Sequence, residues 1–261
     1  MRVVVKLGTS TVTHSTGQLN IRRVELLCKI LSDLKNAGHQ ILVVSSGAIG
    51  MGVGKLHLSG RPDDIPGRQA AASVGQCELM YTYDRLFSKY NHTVGQLLLT
   101  ADDINHTDRR KNVEATIFRL LDLGAIPIIN ENDSVATAEI EGGEIGDNDT
   151  LSAEVSIISK AELLVLLTDI PGLFTADPRK NKDAKLIPMV TEITEEMLLA
   201  AGDAGSGFAT GGMRTKLAAA QMLQKENIDM VITNGQNPEC LYEVVAGVPV
   251  GTRFSFRKNS L

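Results

Sequence analysis

Short, continuously apolar runs alternate with helix-period stretches along most of this chain, and that rhythm restricts the fold more than any other feature. Residues 3–6, 40–45, 93–100, 125–130, 162–168 and 228–233 read as buried strands. Between them, residues 21–37, 69–90, 108–123, 151–159, 213–226 and 239–245 carry helical spacing, and a glycine-rich turn after Ser45 opens a further helix. Val24, Leu27, Cys28, Leu31 and Leu34 share one helical face, and Gly38 and Gly124 are natural helix stops. Strands that are apolar throughout, rather than at alternate positions, are buried on both faces. The expected class is therefore α/β, an open, mainly parallel β-sheet sandwiched between helices. The least regular stretches are 56–67, 136–146, 169–185 and 202–212. Ligands of such sheets bind beyond the carboxyl ends of the strands, so informative residues should follow the strands.

Composition removes several function classes. No apolar run reaches the ~18 residues that a membrane helix needs. The N-terminus starts as a strand and shows no signal-peptide pattern. A net charge of −5 argues against a dedicated nucleic-acid or anionic-membrane binder. The three cysteines, Cys28, Cys77 and Cys240, have no metal-ligand spacing and point to a reducing, cytoplasmic setting. The five histidines are dispersed and form no metal pair, so no metal ligands are assigned.

The polar groups collect where the strands end. Lys6 and Gly8 leave the first strand, where a lysine beside a glycine suits an anion but also an ordinary solvated strand end. Ser45, Ser46 and Gly47 close the second strand and enter a helix, presenting N–H donors to an anion or simply capping the helix. These glycines make neither a dinucleotide fingerprint nor a P-loop. Asn130, Glu131, Asn132 and Asp133 follow the fourth strand, and Asp147, Asn148 and Asp149 precede the next helix. Amides and carboxylates in that density suit a ligand bearing both an ammonium and a carboxylate, although turn and cap chemistry uses the same residues. Thr168 and Asp169 end the fifth strand. Thr210, Gly211, Gly212, Met213, Arg214, Thr215 and Lys216 lead into a helix as a second phosphate-cradling candidate.

Taken in order, VVKLGTS, SSGAIGMG, RQAAASVGQ, GQLLLT, PIINENDSVATAEI, GDNDTLSA, LLTDIPGLFTADPR and TGGMRTK resemble the amino acid kinase family, and its glutamate 5-kinase branch in particular. The resemblance implies one kinase domain over residues 1–261. Its N-terminal part would serve mainly the amino acid, and the part from about residue 150 mainly the nucleotide. It also implies transfer of the γ-phosphoryl group of ATP, with Mg²⁺, to the side-chain carboxylate of L-glutamate, the first step of proline biosynthesis. By that resemblance Lys6 and Lys216 lie along the phosphates and Asp149 orients them. Gly8 and Gly47 offer N–H groups. Ser46, Asp133 and Asn148 hold glutamate with Asn130 and Asp147 in support, and Thr168, Asp169 and the 210–216 segment contact the nucleotide. It further implies proline as an inhibitor, a homo-oligomer, and hand-off of the labile product to glutamyl phosphate reductase. Many members carry a C-terminal PUA domain, which is not expected here. Ala209 and Arg214 depart from the common pattern of the nucleotide segment.

Two other readings stay open at this point. One is a kinase for N-acetylglutamate or aspartate; Asp133 and Asp147 speak against an acetylated nitrogen. The other is a non-catalytic amino-acid sensor on the same fold; retention of Lys6, Lys216 and Asp149 speaks against it.

Overall fold

The computed structural model describes residues 1–261 except 15, 17, 137–147, 177, 179–180, 196, 199–211 and 258–261. The strands are β1 (Arg2–Leu7), β2 (Gln40–Ser45), β3 (Val94–Leu99), β4 (Ile126–Glu131), β5 (Leu163–Thr168), β6 (Met189–Val190), β7 (Asp229–Asn234) and β8 (Thr252–Phe254). Among the described residues they form one eight-stranded sheet in the order β3-β4-β2-β1-β5-β7-β8-β6. The pairs from β3 to β7 are parallel, β8 runs antiparallel to β7, and β6 pairs parallel with β8. Leaving β1 the chain builds first toward β2 and later toward β5, so the sheet reverses direction beside β1. Parallel register (Leu7 opposite both Ser45 and Leu167, Thr168 opposite Asn234) brings the carboxyl ends of these strands to one edge.

Alternation along the strands divides the apolar core. Val4, Leu42, Val44, Ile129, Leu164 and Leu166 face one layer, packed with the Asn148–Ile158 and Met213–Lys225 helices. Val3, Val5, Leu7, Val43, Ile128 and Val165 face the other, packed with the Ile21–Asn36 and Ile65–Ser88 helices. Cys28 is buried in the second layer, where burial pushes its thiol pKa far up and keeps it an inert packing group.

The expected elements are present, with informative shifts. The Asn148–Ile158 helix starts before residue 151, because its first turn is polar and carries no apolar period. The Ile65–Ser88 helix starts before residue 69, where Asp64 caps it by accepting from the Gly67 N–H. Helices Thr9–Val12 and Ala101–Asn105 and strands β6 and β8 were not anticipated, being too short for periodicity to register. The expected irregular stretches at 136–146 and 202–212 lie almost wholly outside the described residues. No helix among the described residues is long and apolar enough to cross a membrane.

One glycine of SSGAIGMG, Gly52, has a packing role. A Cβ on Gly52 would lie 1.8 Å from the Ala71 carbonyl oxygen, and one on Gly75 would lie 1.8 Å from that of Ala48. The Ala48–Lys55 and Ile65–Ser88 helices therefore touch backbone to backbone. That close approach sets the distance from Ser46, just before one helix, to Gln76, within the other.

Candidate active site

Lys6 shares the sheet face of Val4, which is covered by the helices beginning at Asn148 and Met213. Its ammonium therefore meets the start of the first helix: Lys6 Nζ lies 2.7 Å from Asp149 Oδ1. Lys216, one turn inside the other helix, places Nζ 2.9 Å from Asp149 Oδ2. Lys216 also donates to the Gly212 carbonyl at 3.3 Å, and Thr215 Oγ1 lies 3.1 Å from Asp149 Oδ2. Gly212 has φ 82°, a left-handed conformation that turns the chain into the helix without strain. The Asp149 side chain is 1% exposed and each lysine side chain 9%. Burial pushes the Asp149 carboxyl up, but the charges and hydrogen bonds of Lys6 and Lys216 overcome it and hold the group below the usual carboxylate range. Two buried cations share one buried anion, which leaves a net positive charge in this part of the site.

Asn148, one residue earlier, belongs to a neutral network. Its Nδ2 donates to Ser46 Oγ at 2.8 Å and to Asn130 Oδ1 at 3.3 Å. Asn130 Oδ1 also accepts from the Glu131 backbone N–H at 2.9 Å, and Asn130 Nδ2 donates to Gln76 Oε1 at 2.9 Å. Gln76, Asn130, Asn148 and Ser46 are all buried. A cavity of about 840 Å³ opens beside this network; its wall includes Gly47, Asn130, Asp133, Asn148, Arg23 and Arg61. Gly47, at φ 102°, caps the Ala48–Lys55 helix in a conformation that L side chains rarely adopt.

The expected residues thus divide. Lys6, Asp149 and Lys216 converge, and Asn130, Asn148 and Ser46 converge beside them, with Asp133 and Gly47 on the cavity wall. Thr168 ends β5 on the face of Leu166, and its hydroxyl donates to the exposed Asp169 at 3.0 Å. The Gly8 N–H donates to the Leu167 carbonyl at 3.2 Å and ties β1 to β5. Met213 is buried within the apolar layer, and Arg214 is exposed. Asp147, Thr210, Gly211 and Ala209 lie outside the described residues. Thr215, expected at the nucleotide, lies against Asp149; reading by strand ends passed over Gln76 and the two cavity arginines. Gln76 lies mid-helix, and only its contact across the fold marks it.

Residues 1–234 match the amino acid kinase family. Glutamate 5-kinase of Clostridium perfringens is 47% identical over 98% of this chain and 96% of its own length. Glutamate 5-kinase of Clostridium tetani is 50% identical over 97% of this chain and 94% of its own. UMP kinase from Bacillus anthracis has a structure with TM-score 0.64 covering 98% of this chain and 96% of that one; at 18% identity this likeness concerns the fold alone.

Proposed function

The chain belongs to the amino acid kinase family, and from that premise we propose how its residues divide the work of phosphorylating the side-chain carboxylate of L-glutamate with ATP. The observation that carries this division is the junction at Asn148–Asp149. One residue joins a neutral amide network at the cavity wall, and the next holds two lysines.

The accepting carboxylate is already ionised at neutral pH, so the reaction needs no strong base. It needs alignment, and relief of the repulsion between an anionic nucleophile and an anionic phosphoryl group. Lys6 and Lys216 approach the transferring group from two elements and stabilise charge on its oxygens. Asp149 is a positioning residue: it holds the two ammonium groups at a set separation. In the cavity Asp133 pairs with the α-ammonium of glutamate. The Ser46 hydroxyl, its oxygen already accepting from Asn148, directs its proton to a substrate carboxylate oxygen. Asp147 supports the same site. Thr168, Asp169 and the 210–216 segment contact the nucleotide.

No group of three or more His, Cys, Asp or Glu among the described residues could hold a metal ion, and Asp149 is committed to lysines. This donor set fits Mg²⁺ carried on the nucleotide by phosphate oxygens and water. When bound, Mg²⁺ neutralises phosphate charge.

Further parts of the proposal follow from the same chemistry. Proline carries an α-carboxylate and an α-nitrogen, so the groups that hold glutamate suit it too, and it competes with glutamate and not with ATP. The acyl phosphate product is labile, which favours hand-off to glutamyl phosphate reductase. The likeness to glutamate 5-kinases, and not the site chemistry, extends the proposal to a homo-oligomer in the cytoplasm.

The test is hydroxylamine trapping with MgATP and a panel of acceptors. Coloured hydroxamate from glutamate, with little from N-acetylglutamate or aspartate, is the expected result. Turnover of N-acetylglutamate in preference to glutamate, or no turnover at all, would overturn the reading.

A further inference from the structure

One buried side chain near the cavity has no place in the division above. Gln76 lies in the Ile65–Ser88 helix, 8% exposed, with its Oε1 2.9 Å from Asn130 Nδ2. We infer that Gln76 is a positioning residue that sets the orientation of the Asn130 and Asn148 amides, so that the Asn148 carbonyl oxygen faces the substrate's α-ammonium. The inference rests on the glutamate reading of the cavity.

The argument is an accounting of donors and acceptors. The Glu131 backbone N–H can only donate, so the Asn130 atom it meets is Oδ1. Asn130 must then turn its amide nitrogen the other way, and Gln76 Oε1 receives it. Because Asn130 Oδ1 faces Asn148, the Asn148 atom nearest it must be the donor Nδ2. That nitrogen has two protons, and the second goes to Ser46 Oγ. Every atom of the Asn148 amide is thereby assigned, and its Oδ1 is left buried with no hydrogen-bond partner. A buried amide oxygen without a donor is costly, by about 1–3 kcal/mol. Asn148 lines the cavity, and an ammonium ion, with three protons to give, is a donor that would satisfy this oxygen. Without the Gln76 acceptor, the Asn130 amide nitrogen would itself be buried and unpaired. Its side chain would turn toward another acceptor, release Asn148, and let that amide rotate. Gly75 supports the arrangement: its lack of a Cβ lets the helix approach Ala48 closely enough for the next residue to reach β4.

The experiment compares glutamate with glutarate, the same dicarboxylate without the α-ammonium. The KM for glutamate in the hydroxamate assay and the inhibition constant of glutarate against glutamate are measured in the parent enzyme, Gln76→Met and Gln76→Glu. Methionine keeps the length and removes the acceptor, whereas glutamate at this position keeps the acceptor. The expected result for Gln76→Met is a rise of about 10-fold or more in glutamate KM, the scale of one lost hydrogen bond to a charged group. Its glutarate constant and ATP KM should stay within about 2-fold, and Gln76→Glu should restore most of the preference for glutamate. Parallel weakening of glutamate and glutarate would make Gln76 a structural residue only, and an unchanged ratio in Gln76→Met would also overturn the inference. If Gln76→Met does not fold, Gln76→Glu decides: loss of the preference for glutamate overturns the inference, and retention supports it. No hydroxamate from glutamate with the parent enzyme would instead overturn the substrate reading, and this assignment with it.

Discussion

The two faces of the sheet meet the same carboxyl edge with opposite chemistry. On the face of Val4, Lys6 and Lys216 close on Asp149, and all three are charged. On the face of Val43 and Ile128, Gln76 and Asn130 bond side chain to side chain, and both are neutral. Asn148 and Asp149, consecutive at one helix start, join the two. The difference follows from what each side handles. A transferring phosphoryl group changes its charge distribution during reaction, so fixed cations placed beforehand lower the barrier. The α-ammonium and α-carboxylate of glutamate keep their charges throughout, and directional amides beside the single carboxylate Asp133 suit them. The charged cluster depends on a balance among its members, the neutral network on orientation, and each should fail in its own way.

The largest effect is expected on the charged side. Lys216→Ala should lower kcat by roughly 10²–10³-fold, the scale of a lost transition-state donor. Glutamate KM should change far less, because the cavity network does not use Lys216. Steady-state kinetics with each substrate varied in turn checks this, and an unchanged kcat would remove Lys216 from the mechanism.

Asp149→Asn should lower kcat by about 10²-fold, since a misplacement of catalytic groups alone can cost that much. It also leaves two largely buried ammonium groups without their counter-ion, which should destabilise the fold by about 3–5 kcal/mol. The sign of the pH dependence is fixed by the depressed Asp149 pKa. Its stabilisation is fully present above the unfolded carboxylate value of about 3.9 and is lost as pH falls through the lower folded value. Denaturant melts of parent and variant should therefore differ most near neutrality and converge in strong acid. A constant gap across that range would separate Asp149 from the two lysines.

Asp133→Ala should act on the other side. Glutamate KM should rise by about 10-fold or more with ATP KM nearly unchanged, the pattern of lost substrate binding. Equal rises for both substrates would mean that the division between the two faces does not describe the enzyme.

Most strands, and the residues at their carboxyl ends, were legible in the sequence because both rest on local signals. Continuous apolar runs mark buried strands, and a parallel sheet sends their polar termini to one edge. Lys6, Ser46, Asn130, Asp133 and Thr168 are readable on that ground alone, and the ordered motifs that follow the strands identify the family. Which partners those residues meet depends on packing between distant segments. Lys6 faces Asp149 because it is one residue, not two, beyond Val5 on a strand of period two. The Gly8 N–H is taken by Leu167 because β1 pairs with β5 in that register. The glycines of SSGAIGMG read locally as an anion turn, yet Gly52 is needed where a second helix crosses. Gln76 closes the motif RQAAASVGQ, but that motif gives it no partner. Its role exists only because that crossing brings a mid-helix amide against Asn130, 54 positions away along the chain, where each buried donor must find an acceptor.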